Sequence, residues 1–485
     1  MEISVPEEAR SPRAQAGRPR RRLRPEEAFA PVVAALACGL LLLLPAEMSP
    51  DGWFALLSGH EIVAHGLPSH DTLTVWGFGR RWVDQQWLAQ LGLYGLYSLG
   101  GLRLALIVNA TVVAGSVATA IAVARARGGS VRNVLIVSVP AAFVIGWSGS
   151  ALRPQTLVLP LFVALVWLLI DGARRPSRRV FLVVPVLALW ANLHGSVVLG
   201  SLLVGIYAAT SAWGRRRIEF GNVALIACAV TLPFASPYGP HLPGYYNALL
   251  FNSQFAQYVP DWMPTAPSIV TLPFYVLVLG VVFLLGRARG TVTVFERATL
   301  VVLLVLGLEA SRGMVWFALV ALITVPTMLN GVLRTELHGP RRIGSVLLAS
   351  SLGAMAVAAA VIATKPQTWF TSSYPPAAAR ATAEATGATS KVFANGAYSD
   401  WLLLVQPSLR GRIAYDARFE LLPDGKLADA AAVSIGRSDW RRILAPFDVV
   451  VLRPEETELR AALLRDGGWR EVPTNRQIAL LRRNS

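Results

Sequence analysis

Leu104–Ala124 reads LALIVNATVVAGSVATAIAVA, uncharged from end to end, with Arg103 before it and Arg125 and Arg127 after it. As a helix rising 1.5 Å per residue, this run matches the roughly 30 Å hydrocarbon core of a bilayer. Working outward, similar runs recur at 28–46, 131–147, 155–171, 179–193, 196–213, 221–236, 269–286, 296–310, 313–330 and 343–363. The chain is therefore read as an α-helical polytopic membrane protein of about eleven transmembrane helices. Composition agrees. Of 485 residues 54% are hydrophobic and only 15% charged, and no soluble domain covers itself with so little polar surface.

A net charge of +16 would suggest nucleic acid in a soluble protein, but the arginines follow the topology instead. With the basic tail 1–27 in the cytoplasm, the inner loops carry Arg125, Arg127 and Arg132; Arg174, Arg175, Arg178 and Arg179; Arg215–Arg217; Arg287, Arg289 and Arg297; and Arg334, Arg341 and Arg342. The outer loops carry only Arg80, Arg81, Arg103, Arg153 and Arg312. A missed or invented span in the middle would put every later loop on the wrong side, so nucleic acid is not expected as a partner. The runs 179–213 and 296–330 are each read as two short spans, broken at 192–195 and 311–313. Cys38 and Cys228 both fall in spans, which supports neither a disulfide nor a zinc site.

Two outer loops are long. In 47–102, Trp82, Trp87, Leu88, Leu91, Tyr94 and Leu96 predict a helix lying in the membrane interface over 85–98. The proline- and tyrosine-rich loop 237–268 is expected to be ordered by packing rather than by regular structure. After the membrane region 28–363 the composition shifts, and every lysine (Lys365, Lys391, Lys426) lies beyond it. Residues 364–485 are read as a small extracytoplasmic α/β domain with strands at 392–394, 448–452 and 478–481 and helices at 375–386 and 455–466.

Sorted by side, the ionisable residues gather outside, where a site is expected. Asp51, in Pro50-Asp51-Gly52-Trp53 just after the first span, is placed to act as a base toward a hydroxyl, or to cap a helix. Asp84 and Gln85, framed by Trp82 and Trp87, can bind a sugar or phosphate, or cap the interfacial helix. Arg153 and Arg312 at span ends can hold an anion or pair internally with Asp51 or Glu309. His194, in Trp190-Ala191-Asn192-Leu193-His194-Gly195, can take a phosphate, join Asp51 on a divalent cation, or simply be hydrogen-bonded. His60, His65 and His70 share no helical face and have no metal-ligand spacing. Asp400, Asp416, Arg418 and Glu420 are read as solvated loop residues, and Asn395-Gly396 as a turn. No P-loop, dinucleotide fingerprint, His-Glu-x-x-His or nucleophile elbow occurs. A transporter would call for broken helices and paired repeats at the bilayer midplane, which the sequence lacks.

Asp51, the stretch Gly59-His60-Glu61-Ile62-Val63-Ala64-His65-Gly66-Leu67-Pro68 and Trp82-Val83-Asp84-Gln85-Gln86-Trp87-Leu88 together resemble the GT-C superfamily of membrane glycosyltransferases. Trp190-x-Asn192-x-His194-Gly195 and Ser236-Pro237-Tyr238-Gly239 look like motifs of one bacterial branch of that group. The resemblance implies a sugar donor on a polyprenyl phosphate and a catalytic carboxylate in the first outer loop, which by position is Asp51. Many relatives carry an acidic pair there. Here Gly52 follows Asp51, so the second carboxylate is either missing or supplied by Glu61 or Asp84.

The expected activity is inverting glycosyl transfer to a glycan, lipid or protein acceptor at the outer face of the cytoplasmic membrane. Asp51 and Asp84 are the expected catalytic residues. Glu61, Gln85, Arg153, Asn192, His194, Tyr238 and Arg312 are the expected substrate-binding residues, with a divalent cation left open as cofactor. The alternative is a non-catalytic protein that binds, assembles or moves a lipid-linked glycan.

Overall fold

The computed structural model describes residues 48–484 apart from 288–289, 334–339, 437–438 and 475–477, with the backbone alone for 340–348. The expected tail 1–27 and the span 28–46, with Cys38, lie outside the described residues. All ten later apolar runs are helical. They correspond to α2 (Trp87–Ala126), α3 (Val131–Gly149), α4 (Leu159–Arg174), α5 (Val183–Leu193), α6 (Val197–Arg215), α7 (Phe220–Thr231), α10 (Leu272–Arg287), α11 (Val294–Glu309), α12 (Met314–Asn330) and α13 (Pro340–Thr364). Phe143, Trp147, Val276, Leu279 and Phe283 stand exposed on outward faces, as side chains facing lipid do.

Among the described residues five helical segments are long and apolar enough to cross a membrane alone: Trp87–Ala126, Val131–Gly149, Pro154–Arg174, Val197–Arg215 and Ser311–Asn330. Phe220–Phe234 and Gly239–Leu250 form a further pair, bent by 96°. Two of the runs counted in about eleven, 28–46 and the start of α13, fall outside the fully described residues, and the others that fall short are short helices. Val183–Leu193 alone rises only about 16 Å, and it is lengthened by the 3-10 turn Arg178–Leu182 before it.

The helices run between two chemically distinct ends. At one, Glu296 is fully buried in a capping box with Thr293 and ion-pairs with Arg127 and, at 3.0 Å, with Arg174. Asn133 Nδ2 donates to Asn330 Oδ1 at 2.8 Å at the same end. At the other end Arg153 meets Asp261, Gln85 meets Ala191 and Tyr238 meets Pro68. This alternation requires the two breaks read from the sequence. Both are present, at His194–Ser196 between α5 and α6 and at Ala310–Gly313 between α11 and α12.

The loop 47–102 holds more structure than expected. Helix α1 (Pro50–His65) starts from Ser49, whose hydroxyl accepts the Gly52 N–H at 3.2 Å, with Pro50 at the first helical position. It packs on the start of α2 through Gly59, where a Cβ would strike the Gln90 carbonyl and the Tyr94 side chain. The expected interfacial helix is the first part of α2. Gly100 and Gly101 interrupt it, and Gly101, at φ 67°, takes a left-handed conformation that other residues rarely adopt. The loop 237–268 is also more regular than expected, with α8 (Leu242–Leu250) and α9 (Ser253–Tyr258). Pro243 lies in the first turn of α8 and Asn252 caps α9, so a proline of this loop opens a helix instead of preventing one.

The C-terminal part forms a four-stranded sheet in the order β1 (Val392–Ala394), β2 (Val449–Leu452), β4 (Ala479–Arg483), β3 (Trp469–Val472), with β1 and β2 parallel and the other pairs antiparallel. The expected strands and the helices α14 (Pro376–Ala385) and α18 (Thr457–Arg465) are present. Strand β3 escaped notice because Trp469-Arg470-Glu471-Val472 sits at the sheet edge with both charges exposed. The expected turn at Asn395-Gly396 instead opens α15 (Gly396–Val405), with the Asn395 side chain accepting the Ala397 N–H at 2.9 Å.

This unit is joined to the first loop. The Val75 and Trp76 N–H groups donate to Ile413 and Ala414 at 2.8 and 2.9 Å, Gly411 N–H donates to Leu73, and Ala414 N–H donates to Val392 of β1. Residues 73–76 thereby extend the sheet beyond β1. Trp76 stacks on Tyr415 at 5.4 Å and meets Phe393 and Phe447 edge-on.

Candidate active site

The N-terminus of α1 carries Asp51 at its second position, where the helix dipole favours a carboxylate. Its Oδ2 lies 2.8 Å from Nε of Arg153, and the same guanidinium reaches Oδ2 of Asp261 through Nη1, also at 2.8 Å. Asp51 stays 43% exposed. Nearby, Arg312 lies over the Trp262 ring at 4.3 Å, and no carboxylate ion-pairs with it among the described residues. Of the internal pairings read from the sequence, Arg153 makes the one to Asp51, while Arg312 takes the tryptophan face rather than Glu309.

His194 ends α5 and is buried. Its Nδ1 accepts the Ser196 N–H at 3.0 Å, which leaves Nε2 as the N–H side of the neutral ring. Burial, reinforced by Arg312 and Arg153, pushes its pKa down to about 3, so the ring is uncharged beside these two cations. The motifs on either side converge. Gln85 Nε2 donates to the Ala191 carbonyl at 2.8 Å and Trp87 Nε1 to Asn192 Oδ1 at 3.1 Å. Asn192 in turn donates to Ala188 and Ala235, and the Tyr238 hydroxyl donates to Pro68 at 2.9 Å. Asn192 and Tyr238 thus spend their polar groups on holding loops together. Gln85 keeps a buried Oε1 with no partner. Glu61 is engaged too, with Arg410 at 2.6 Å and His65 at 3.1 Å.

Behind this surface lies a buried charge network that the sequence reading missed. Asp400, Asp416 and Arg418, expected at a solvated surface, are all at most 3% exposed. Arg418 donates to Asp71 at 2.7 Å and to both oxygens of Asp416, and its guanidinium covers the Trp82 ring at 4.0 Å. The correction has a physical cause: Asp400 lies within helix α15 rather than in a loop, and Arg418 is covered by Trp82 and paired by Asp71, both from the first loop, which no single-segment pattern reports. Asp71 is fixed in turn by Thr74 and by the Leu73 N–H.

Asp84 sits beside this network, 3% exposed, with one carboxylate oxygen lacking a partner. Burial raises its pKa from 3.8 to about 7 against the pull of Arg418. Between those values the folded protein keeps a proton that the unfolded chain releases. Stability is therefore expected to fall as pH rises through this window, by up to roughly 1.4 kcal/mol per pH unit. Asp84→Asn removes the titration, so thermal melts of wild type and variant should diverge from pH 4 to 7, with the wild type losing ground. Parallel curves would contradict a buried, proton-holding Asp84.

The donor set does not fit a divalent cation. Among the described residues no three of His, Cys, Asp and Glu cluster for one, and Asp51 and Asp261 already share a guanidinium. His194 Nδ1 is committed to Ser196. Nothing in the Pro260-Asp261-Trp262 context of the sequence points Asp261 to Arg153. Helix α1, by contrast, was readable from Ser49-Pro50-Asp51, an N-cap residue followed by a first-turn proline and acid.

No protein-family model matches the sequence, and no curated protein matches it. In fold the chain is similar to ArnT from Cupriavidus metallidurans in the apo state, with a TM-score of 0.53 and 12% identity over 93% of this chain and 97% of that one. It is also similar to the Archaeoglobus fulgidus oligosaccharyltransferase tethered with an acceptor peptide containing the NVT sequon, with a TM-score of 0.52 and 12% identity over 89% and 70% of the two chains. The fold is GT-C-like: a polytopic helical membrane body with a small C-terminal sheet. At this identity the likeness concerns the fold.

Proposed function

We propose, from a GT-C-like membrane fold with this cluster at the end of its helices, that the chain is a glycosyltransferase. It would move a sugar from a polyprenyl-phosphate donor to a glycan, lipid or protein acceptor at the outer face of the cytoplasmic membrane. The N-terminus would be cytoplasmic and the C-terminal unit outside. The observation that carries this reading is a half-exposed carboxylate, Asp51, next to Arg153 and to an Arg312 with no acidic partner, all at the ends of apolar helices. A base held by Arg153, with a second cation, Arg312, that no carboxylate ion-pairs among the described residues, suits a donor whose leaving group is a lipid phosphate.

In the proposed step the acceptor hydroxyl oxygen attacks the anomeric carbon while Asp51 takes its proton. The bond from that carbon to the phosphate oxygen breaks, its electron pair leaves with the lipid phosphate, and the configuration inverts. Arg312 and Arg153 balance the charge that develops on the phosphate, and the Nε2–H of His194 is a further donor. Asp84 would serve as a proton-holding group behind the site.

The test is release of free polyprenyl phosphate by the purified protein in nanodiscs, from a panel of radiolabelled polyprenyl-phosphate sugars with envelope acceptor. Release from one donor is expected. Tight binding of a donor with no release from any would instead favour a non-catalytic protein that carries or assembles a lipid-linked glycan. Because a guanidinium stands between the two carboxylates, release is expected to be unchanged by a chelator. Arg153→Gln, which leaves Asp51 facing Asp261, should lower release by roughly 10² to 10³. Loss of wild-type release on chelation, restored by a divalent cation, would refute this part.

A further inference from the structure

A cavity of about 380 Å³ opens on the C-terminal side of the cluster, walled by Arg81, His241, Tyr245 and Glu420, with Val83 and Leu421 as apolar wall. Its two ionisable walls, Arg81 and Glu420, come from segments that alternate between the cavity and the buried network. Arg81 and Val83 face the cavity while Trp82 and Asp84 face Arg418, and Glu420 lies on the cavity side of Arg418. Arg81 rests against the imidazole of His241, 2.6 Å from Nε2. Among the described residues neither Arg81 nor Glu420 has an ion-pair partner, and the two do not pair with each other. Arg81 and His241 are exposed at the mouth, so the cavity is open to water. Tyr245 lies within electrostatic reach of Glu420 on one side and of Arg312 and Asp84 on the other.

Burial raises the Glu420 pKa from 4.5 to about 7, so near neutral pH it stands both as a carboxylate and as a neutral acid; Arg81 is the wall's permanent charge and draws an anion, while Glu420 offers hydrogen bonds to hydroxyls. A group that presents an anion at one end and hydroxyl donors at the other satisfies both walls. The volume lies at the small end of the roughly 300–1,000 Å³ typical of small-molecule sites, which suits a single sugar better than an oligosaccharide. We propose that this cavity is the acceptor subsite and takes one glycosyl group bearing an anionic substituent, with Arg81 pairing with the anion and Glu420 accepting hydrogen bonds from ring hydroxyls. The word acceptor rests on the transferase reading; the binding does not.

Full-length protein in nanodiscs is titrated with glucose 6-phosphate, methyl glucoside and inorganic phosphate. Glucose 6-phosphate is expected to bind in the millimolar range or tighter. Arg81→Gln should weaken it about tenfold while leaving methyl glucoside unaffected, and Glu420→Gln should weaken both sugars about tenfold. The assignment is overturned if no probe binds, if neither cavity substitution alters binding, or if phosphate alone binds as well as the phosphorylated sugar. Binding as expected without polyprenyl-phosphate release would leave the cavity standing and remove the transferase reading. Release without such binding would do the opposite.

Discussion

Asp51→Asn is expected to lower polyprenyl-phosphate release by about 10² to 10⁴ in a protein that melts at the wild-type temperature. The side chain keeps its shape and its first-turn position on α1, where Asn is well tolerated, so folding should be little affected. What is lost is the basic oxygen. The amide cannot take a proton from an attacking hydroxyl, and it replaces a charge-assisted contact to Arg153 with a neutral one. Release and melting separate the roles: a structural Asp51 would move both, whereas a base moves only the first. Unchanged release would refute the mechanism and leave the carboxylate as a partner for Arg153.

Arg418→Met is expected to destabilise the protein by about 3–5 kcal/mol, read as a fall in melting temperature in detergent. Methionine roughly keeps the volume over Trp82, but Asp71 and Asp416 are then left buried without their cation. Adding Asp71→Asn and Asp416→Asn to the same chain should recover a large part of the loss, because the damage comes from uncompensated charge rather than from lost packing. Tryptophan fluorescence should report the change directly, since Trp82 lies beneath the guanidinium. A single substitution as mild as an exposed arginine change would show that the network is wetter than its burial implies.

Much of the helical body was legible because hydrocarbon imposes a coarse rule: long uncharged runs with arginines at alternate ends. Even the breaks at His194–Ser196 and Ala310–Gly313 followed from it. That a helix begins near Trp87 was visible in the spacing of Trp87, Tyr94 and Leu96. What stayed hidden depends on contacts between distant segments. Nothing local to Asp261 points to Arg153, and nothing local to Arg418 points to Asp71, 347 positions away. Polar residues near loops look solvated unless the covering groups are known, and here Trp82 and Asp71, which cover and pair with Arg418, come from the first loop. Of the residues expected at a site, Asp51, Arg153, His194 and Arg312 come together at the helix ends. Asp84 lies behind them, Glu61 is tied to Arg410, and Asn192 and Tyr238 hold the loops in place.

The pairing of residues 73–76 with 411–414 joins a segment made early on the ribosome to one made near the end of synthesis. Until the later segment emerges, Trp76 has no Tyr415 to stack on and Asp71 has no Arg418, so the polar end cannot assemble while the chain is still being inserted. The order of translation thereby delays completion of the buried network behind the site until the last part of the chain is made. A chain released early would expose an unpaired strand and a buried-type carboxylate, features that quality-control proteases can recognise.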